Sequence, residues 1–301
     1  MNEGGANMAT ARIAVSVGYI GQGFSGSQYQ PDRHTVQGVI EDILTQLGWA
    51  NGEGHAMTMS SRTDAGVSAL ANVGSFDMDR SIWLSAGSRG VLLALNDQMP
   101  DNCVVTKAVE IKPDSNITDA SSRTYLYRLQ ALEGWPKDVT IKSMTGWCSL
   151  FEGTHDFNNF SRFVDGRPTE RTVLSCQPWV DPTGVILGFR IEGVSFVWNQ
   201  VRRIASAIQA MAAGKITPEQ VEAALKHVDV PADFGLAPAD WLVLWSVGHA
   251  DITDSVWMES PSIHVGSEVT PRGRAYRLWS ARVRREQEAM LLAEWLDSVI
   301  L

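Results

Sequence analysis

Two α+β lobes of similar grammar are the fold this sequence predicts, and three observations predict it. Segments of alternating or continuous apolar residues, short enough for strands, interleave with segments whose apolar residues recur at helical spacing. Their order between residues 12 and 111 is β-α-β-β-α-β, and from residue 122 that order largely recurs. The 44% hydrophobic content of the 301 residues is ample for two modest cores. These features describe two tandem split β-α-β units of the ferredoxin/RRM-like kind, their sheets joined into one antiparallel sheet with a central cleft.

Each element has a local reason. Residues 12–19 alternate like a strand, and residues 35–47 place Val36, Val39, Ile40, Ile43, Leu44 and Leu47 on one helical face, with Thr35 as the cap. Strands follow at 57–59 and 73–76, then a helix at 81–95 and a strand at 103–111. The second half reads as a strand at 124–129, a helix ending near 151, and strands at 173–180 and 185–191. Helices at 201–213 and 218–227 and a strand at 242–247 complete it. The expected domains are a flexible tail at 1–10, in which Met8 offers an alternative start, a lobe at 11–115, a second lobe at 116–250, and an extension at 251–301 that is Arg-rich and then helical. The connector at 112–116 marks the boundary between the lobes.

Composition excludes several classes. Cys103, Cys148 and Cys176 are odd in number and widely separated, with no C-x-x-C or histidine spacing, so neither a disulfide framework nor a metal site is expected. They read as buried thiols of a reducing cytoplasm. No apolar run is long enough to cross a membrane, and the first ten residues lack the basic start and apolar core of a signal peptide. A net charge of −9 argues against a polyanion partner only in bulk, because the arginines are unevenly placed. Arg162, Arg167 and Arg171 share one loop, and Arg202 and Arg203 are adjacent. Arg272, Arg274, Arg277, Arg282, Arg284 and Arg285 crowd a C-terminal stretch, which reads equally as an RNA contact or as a solvated helix face balanced by Glu286 and Glu288.

The segment Ser61-Arg62-Thr63-Asp64-Ala65-Gly66-Val67 carries the functional signal. It places one carboxylate in a loop between two strands, on a rigid scaffold yet open to a ligand. Alone, such a triplet makes a local salt bridge or an Asx-turn. The segment resembles the G-R-T-D-A-G-V-H-A signature of the TruA-type tRNA pseudouridine synthases, with Ser61 for the usual Gly and Ser68 for the usual His. The resemblance continues in family order. Tyr19, Gly21, Phe24, Gly26, Gln28, Gln30 and Pro31 match Y-x-G-x-x-F-x-G-x-Q-x-Q-P, and Thr35-Val36-Gln37 matches a T-V-Q helix start. Arg123, Tyr125 and Tyr127 match R-x-Y-x-Y, and Gly153, Asp156, Phe157 and Phe160 match a helix-end motif G-x-x-D-F-x-x-F. Phe196, Val201, Arg202 and Ile204 match F-x-x-x-x-V-R-x-I, and Ala237-Pro238-Ala239 with Leu242 and Leu244 matches A-P-A-x-G-L-x-L. Departures fall at Ile117, where an arginine is usual, at Trp241, where a glycine is usual, and at Ala71-Asn72-Val73 in place of G-Q-V.

The resemblance implies an isomerase that converts uridine to pseudouridine in the anticodon stem-loop of tRNA, working as a homodimer without cofactor. By the same resemblance Asp64 is the catalytic carboxylate, Arg202 its ion-pair partner, and Tyr125 the tyrosine that stacks on uracil and helps remove its C5 proton. Strand alternation puts Tyr127 on the same face as Tyr125, so pattern alone does not separate them. Arg62 matches the residue associated with extrusion of the base, and Phe196 and Leu244 would wall the extruded base. Competing readings are a non-catalytic RNA-binding protein on the same fold, a pseudouridine synthase with another RNA target, and a small-molecule enzyme on this much-used scaffold.

Overall fold

The computed structural model describes residues 10–50, 54–162, 166–252 and 273–300. It is a mixed α+β protein whose strand pairs are mostly antiparallel, with six α-helices among the described residues. The chain divides into two compact units. One comprises the described residues up to Ser121 and those of Leu244–Trp257 and Leu291–Leu301; the other comprises those of Ser122–Val243 and Met258–Met290.

The first unit follows the β-α-β-β-α-β order expected for it. β1 (Thr10–Tyr19), α1 (Val36–Gln46), β2 (Met57–Met59), β3 (Ser68–Asp79), α2 (Arg80–Asn96) and β4 (Cys103–Ile111) succeed one another, with β1 between β4 and β3, and β2 paired to β3. As the central strand, β1 is buried on both faces, which is why its Ala14 and Ser16 are as buried as Ile13, Val15 and Val17. Thr35 caps α1 by accepting from the Gly38 N–H, and Val36, Ile40, Ile43 and Leu44 form the buried face. α2 is less regular than its spacing suggests. Gly87 at φ 61° interrupts its helical backbone, a conformation glycine adopts without steric cost.

The second unit holds β5 (Ser122–Tyr127), α3 (Ile141–Ser149), β6 (Gly153–Asp156), β7 (Glu170–Val180), β8 (Ile186–Gly193), α4 (Gln200–Ala212) and α5 (Pro218–Lys226), with strands in the order β5-β8-β7-β6. β9 (Leu242–Gly248) follows. Three local readings need correction. Arg171, read as sharing one loop with Arg162 and Arg167, lies on β7 opposite His155. The helix expected to end near 151 does so, since α3 stops at Ser149, but the helix-end motif at Gly153–Asp156 is instead the edge strand β6, paired to β7 with Gly153 opposite Val173 and Asp156 opposite Glu170. The strand expected at 124–129 stops at Tyr127, because the Arg128 N–H donates to Trp241 O and the chain turns into a 3-10 turn at Leu129–Ala131.

The C-terminal helix α6 (Gly273–Ile300) buries Trp279, Val283, Gln287, Leu291 and Trp295, a stripe at four-residue spacing. In the second unit the fully buried Arg128 guanidinium donates to Val283 O at 3.1 Å and to Glu286 Oε2 at 3.1 Å. Burial pulls its pKa down while Glu286 opposes the shift. Arg284 pairs with Asp240 at 2.9 Å and Arg282 with Glu286 at 3.3 Å, so these two arginines are engaged with neighbouring carboxylates. Arg272 lies outside the described residues. In the first unit Trp295 lies against Gly18, where any Cβ would collide with the indole, and its Nε1–H donates to Leu70 O at 3.2 Å.

Candidate active site

Asp64 sits in the loop between β2 and β3, half-buried, with Arg62 exposed two residues before it. The loop is held from below by buried neutral groups. Asn72 on β3 donates from Nδ2 to Ser61 O at 2.8 Å and to the Tyr19 hydroxyl at 3.2 Å, and the Tyr19 hydroxyl bonds Thr63 Oγ1 at 2.9 Å. Tyr19 reaches this position at the end of β1, where the pairing shifts register between Val17 and Tyr19, the kind of irregularity that re-aims a side chain. Its complete burial raises the phenol pKa from 10.0 to about 12, against the opposing hydrogen bonds of Thr63 and Asn72.

A second layer wraps the loop from the side. The Thr63 N–H donates to Ser27 Oγ at 2.8 Å, Ser27 Oγ donates to Ser61 O at 3.3 Å, and the Ser27 N–H returns to Thr63 O at 3.2 Å. This approach requires Gly26, at φ 112°, where a Cβ would stand 2.8 Å from Thr63 O. Gly21 is needed in the same way against Val67 O, and its N–H donates to Ser68 Oγ at 3.0 Å. The glycines and Ser27 therefore form a clamp. Gln37 anchors it to α1 and β2: its Oε1 accepts from the Tyr29 N–H at 3.0 Å and its Nε2 donates to Met57 O at 2.9 Å. Ser68 and Asn72, two departures from the family signature, are both working parts of this frame.

In the second unit the tyrosines that pattern could not separate have different surroundings. Tyr127 is fully buried, stacks on Phe189 at 5.9 Å and donates its hydroxyl to Pro238 O at 2.9 Å. Tyr125, opposite Ile191 in the β5–β8 pairing, instead meets the edge of Phe196 at 5.3 Å and 88°. Phe196 rests on Gly193, where a Cβ would lie 2.9 Å from its ring. The turn that follows is stapled by the Val197 N–H donating to Gln200 Oε1 at 2.9 Å, and Asn199 at φ 68° starts α4. Arg202, half-buried on the first turn of α4, donates from Nε to Ala237 O at 2.8 Å and from Nη1 to Asn199 Oδ1 at 3.3 Å. These bonds fix the plane of its guanidinium. Leu244, on β9, is fully buried.

A family profile described as tRNA pseudouridine synthase matches residues 148–249, which include Phe196, Arg202 and Leu244. Relatives called tRNA pseudouridine synthase A extend the match over the Asp64 loop. That of Geobacillus kaustophilus is 33% identical over 255 residues, covering 80% of this chain and 96% of the relative. That of Thermococcus sibiricus is 32% identical over 293 residues, covering 96% of this chain and all of the relative, 100%. That of Pyrococcus furiosus is 34% identical over 249 residues, covering 80% and 85%. The chain belongs to the tRNA pseudouridine synthase A family.

The family is one of isomerases, and the clamp described above holds the loop that carries Asp64. Sequence reasoning singled out Asp64 and Arg62 but not Tyr19 or Gln37, which were present only as motif letters, nor Ser27, which falls between motif letters and carries no signal of its own. No helix among the described residues is long and apolar enough to cross a membrane. Nor do the described residues contain a group of three or more His, Cys, Asp or Glu that could hold a metal ion.

Proposed function

We propose that this chain isomerises uridine to pseudouridine in the anticodon stem-loop of tRNA, with Asp64 as the catalytic carboxylate. The observation that carries the reading is the Asp64 loop itself, a half-buried carboxylate on a backbone clamped by Asn72, Tyr19 and Ser27. Effective catalysis asks for such pre-set geometry, because displacement by even an ångström is costly. The reaction breaks the bond from uracil N1 to ribose C1′ and makes one from C5 to C1′; C5 loses a proton and N1 gains one. Electrons balance within the nucleoside, so no redox carrier enters. Asp64 acts on the ribose, either attacking C1′ or removing the C2′ proton to give a glycal.

The remaining roles follow from the chemistry of each group. Arg202, its plane set by Ala237 O and Asn199, is read as the ion-pair partner of the Asp64 carboxylate. Tyr125 stacks on the uracil and helps remove its C5 proton. Arg62, exposed on the loop, takes the space left by the extruded uridine, while Phe196 and Leu244 wall the base. In this reading each unit is ferredoxin-like, their sheets join, and these residues converge in the cleft of a cytoplasmic homodimer that holds one tRNA. The strand order β4-β1-β3 with β2 beyond β3 in the first unit supports the ferredoxin-like assignment. The test is to incubate unmodified tRNA transcripts with the protein and map pseudouridine. Signal in the anticodon stem-loop is expected. Signal confined to another arm would move the target, and none in any tRNA would remove the reading.

A further inference from the structure

Trp198 is 48% exposed, whereas the other described tryptophans are buried or half-buried. An indole left open costs hydrophobic free energy, and this one is also held rigid. Trp198 O accepts from the Arg162 N–H at 2.9 Å, and the Gln200 N–H donates to Val197 O at 3.1 Å. The next residue, Asn199, is in the left-handed region at φ 68°. The exposed Arg162 reaches over the indole, its guanidinium carbon 4.1 Å from the ring centroid. The pair lies in the second unit, Trp198 on the turn between Phe196 and Arg202 and Arg162 just after the 3-10 turn at Asn158–Phe160.

Surface cation–π pairs are common, and each adds only about 0.5–1 kcal/mol. Trp198 differs from that background in its fixed backbone, its exposure and its two neighbours. An aromatic ring and an arginine presented together match the chemistry of a nucleotide: the base stacks on the ring and the phosphate meets the guanidinium. A cationic ligand is disfavoured because the Arg162 guanidinium beside the ring would repel it. An acidic peptide would answer Arg162 but leave the indole bare. We infer that Trp198 and Arg162 form a stacking platform for an unpaired nucleotide beside the target uridine. The inference rests on the proposed RNA substrate and adds a contact on the same turn as the residues assigned to the reaction.

The test compares the full-length protein with Trp198→Ala, Trp198→Phe and Arg162→Gln, measuring affinity for an unmodified tRNA transcript at several salt concentrations. Trp198→Ala should bind roughly 5- to 100-fold more weakly, the loss of one base–aromatic stack. Its salt slope should not change, because stacking releases no counterions, whereas Arg162→Gln should reduce that slope by about one phosphate contact. Trp198→Phe, which keeps a flat ring, should stay within about threefold of wild type, guarding against a folding defect in the alanine variant. Irradiation of a 4-thiouridine-substituted transcript should cross-link the peptide containing Trp198. Alanine within twofold of wild type, phenylalanine as weak as alanine, or cross-links that bypass that peptide would overturn the platform while wild-type turnover left the proposed function standing. A wild-type protein that neither binds nor converts tRNA would overturn both.

Discussion

The Asp64 loop and the turn carrying Phe196 to Arg202 are both rigid, but for opposite reasons. The first is fixed by neutral side chains buried beneath it, Asn72, Tyr19, Thr63 and Ser27, each bonded to another of the set or to loop backbone. The second is fixed by Gln200 and backbone bonds at its start and, at its end, by a charged group, since Arg202 is half-buried and its own bonds to Ala237 O and Asn199 hold it in place. A buried neutral network is costly to break, because any missing partner strands a polar atom away from water. A half-exposed arginine can fall back on solvent. Stability should therefore be concentrated under Asp64, while the Arg202 turn should show its losses in activity.

The largest effect expected is on catalysis. Asp64→Asn keeps the shape of the side chain and removes its charge, so tRNA affinity and unfolding midpoint should remain near wild type while tritium release from uracil-C5-labelled tRNA falls to background. Near-normal release would remove Asp64 as the catalyst. Arg202→Lys comes next. A lysine ammonium lacks the planar fork that meets Ala237 O and Asn199 together, so it cannot reproduce the orientation. Turnover should drop about 10- to 100-fold, the range of one charge-assisted hydrogen bond, with little loss of stability. If Arg202→Lys unfolds as much as it inactivates, the contrast between the regions is wrong.

Much of this arrangement could be read beforehand, and the limits are physical. Strand and helix patterns located α1 and α4, which each bury one helical face, and β1 and β9, which are short runs buried on both faces. Periodicity could not find β6, a four-residue edge strand with exposed or half-buried residues throughout, which leaves no apolar alternation to detect. Asp64, Tyr125 and Arg202 are candidates that only the family resemblance nominates, whereas the partners of the Asp64 loop had no such pointer. Asn72 meets Tyr19 across 53 residues of chain, a contact no local pattern encodes. The C-terminal arginines were ambiguous for a related reason. Asp240, which pairs with Arg284, is far away in sequence.

A third way to test the comparison is alkaline pH. Burial raises the Tyr19 pKa from 10.0 to about 12, so the folded state holds its proton where the unfolded chain has begun to release it. The stability tied to that proton is whole below about pH 10, shrinks as the unfolded phenol ionises, and is gone once pH passes about 12. Its full extent is on the order of 2–3 kcal/mol for a completely buried group. Urea unfolding of wild type and Tyr19→Phe between pH 8 and 11 should show curves that converge as pH rises. Parallel curves would mean that Tyr19 is not sealed beneath the loop.

The smallest effects distinguish the two asparagines, one in each region. Asn72 is completely buried, and replacing it with alanine leaves Ser61 O without the Nδ2 donor and the Tyr19 hydroxyl without one of its partners. The expected cost is about 1–3 kcal/mol of unfolding free energy, the usual penalty for stranded buried polar groups. Asn199 is half-buried and left-handed at φ 68°, so Asn199→Gly removes one bond to Arg202 but suits the backbone better. Its unfolding free energy should stay within about 0.5 kcal/mol of wild type. Turnover should fall modestly through the loosened Arg202, by less than in Arg202→Lys, because the bond to Ala237 O remains. Equal unfolding losses in the two variants would show that the Arg202 turn depends on its polar contacts as heavily as the Asp64 loop does, and would erase the difference argued between them.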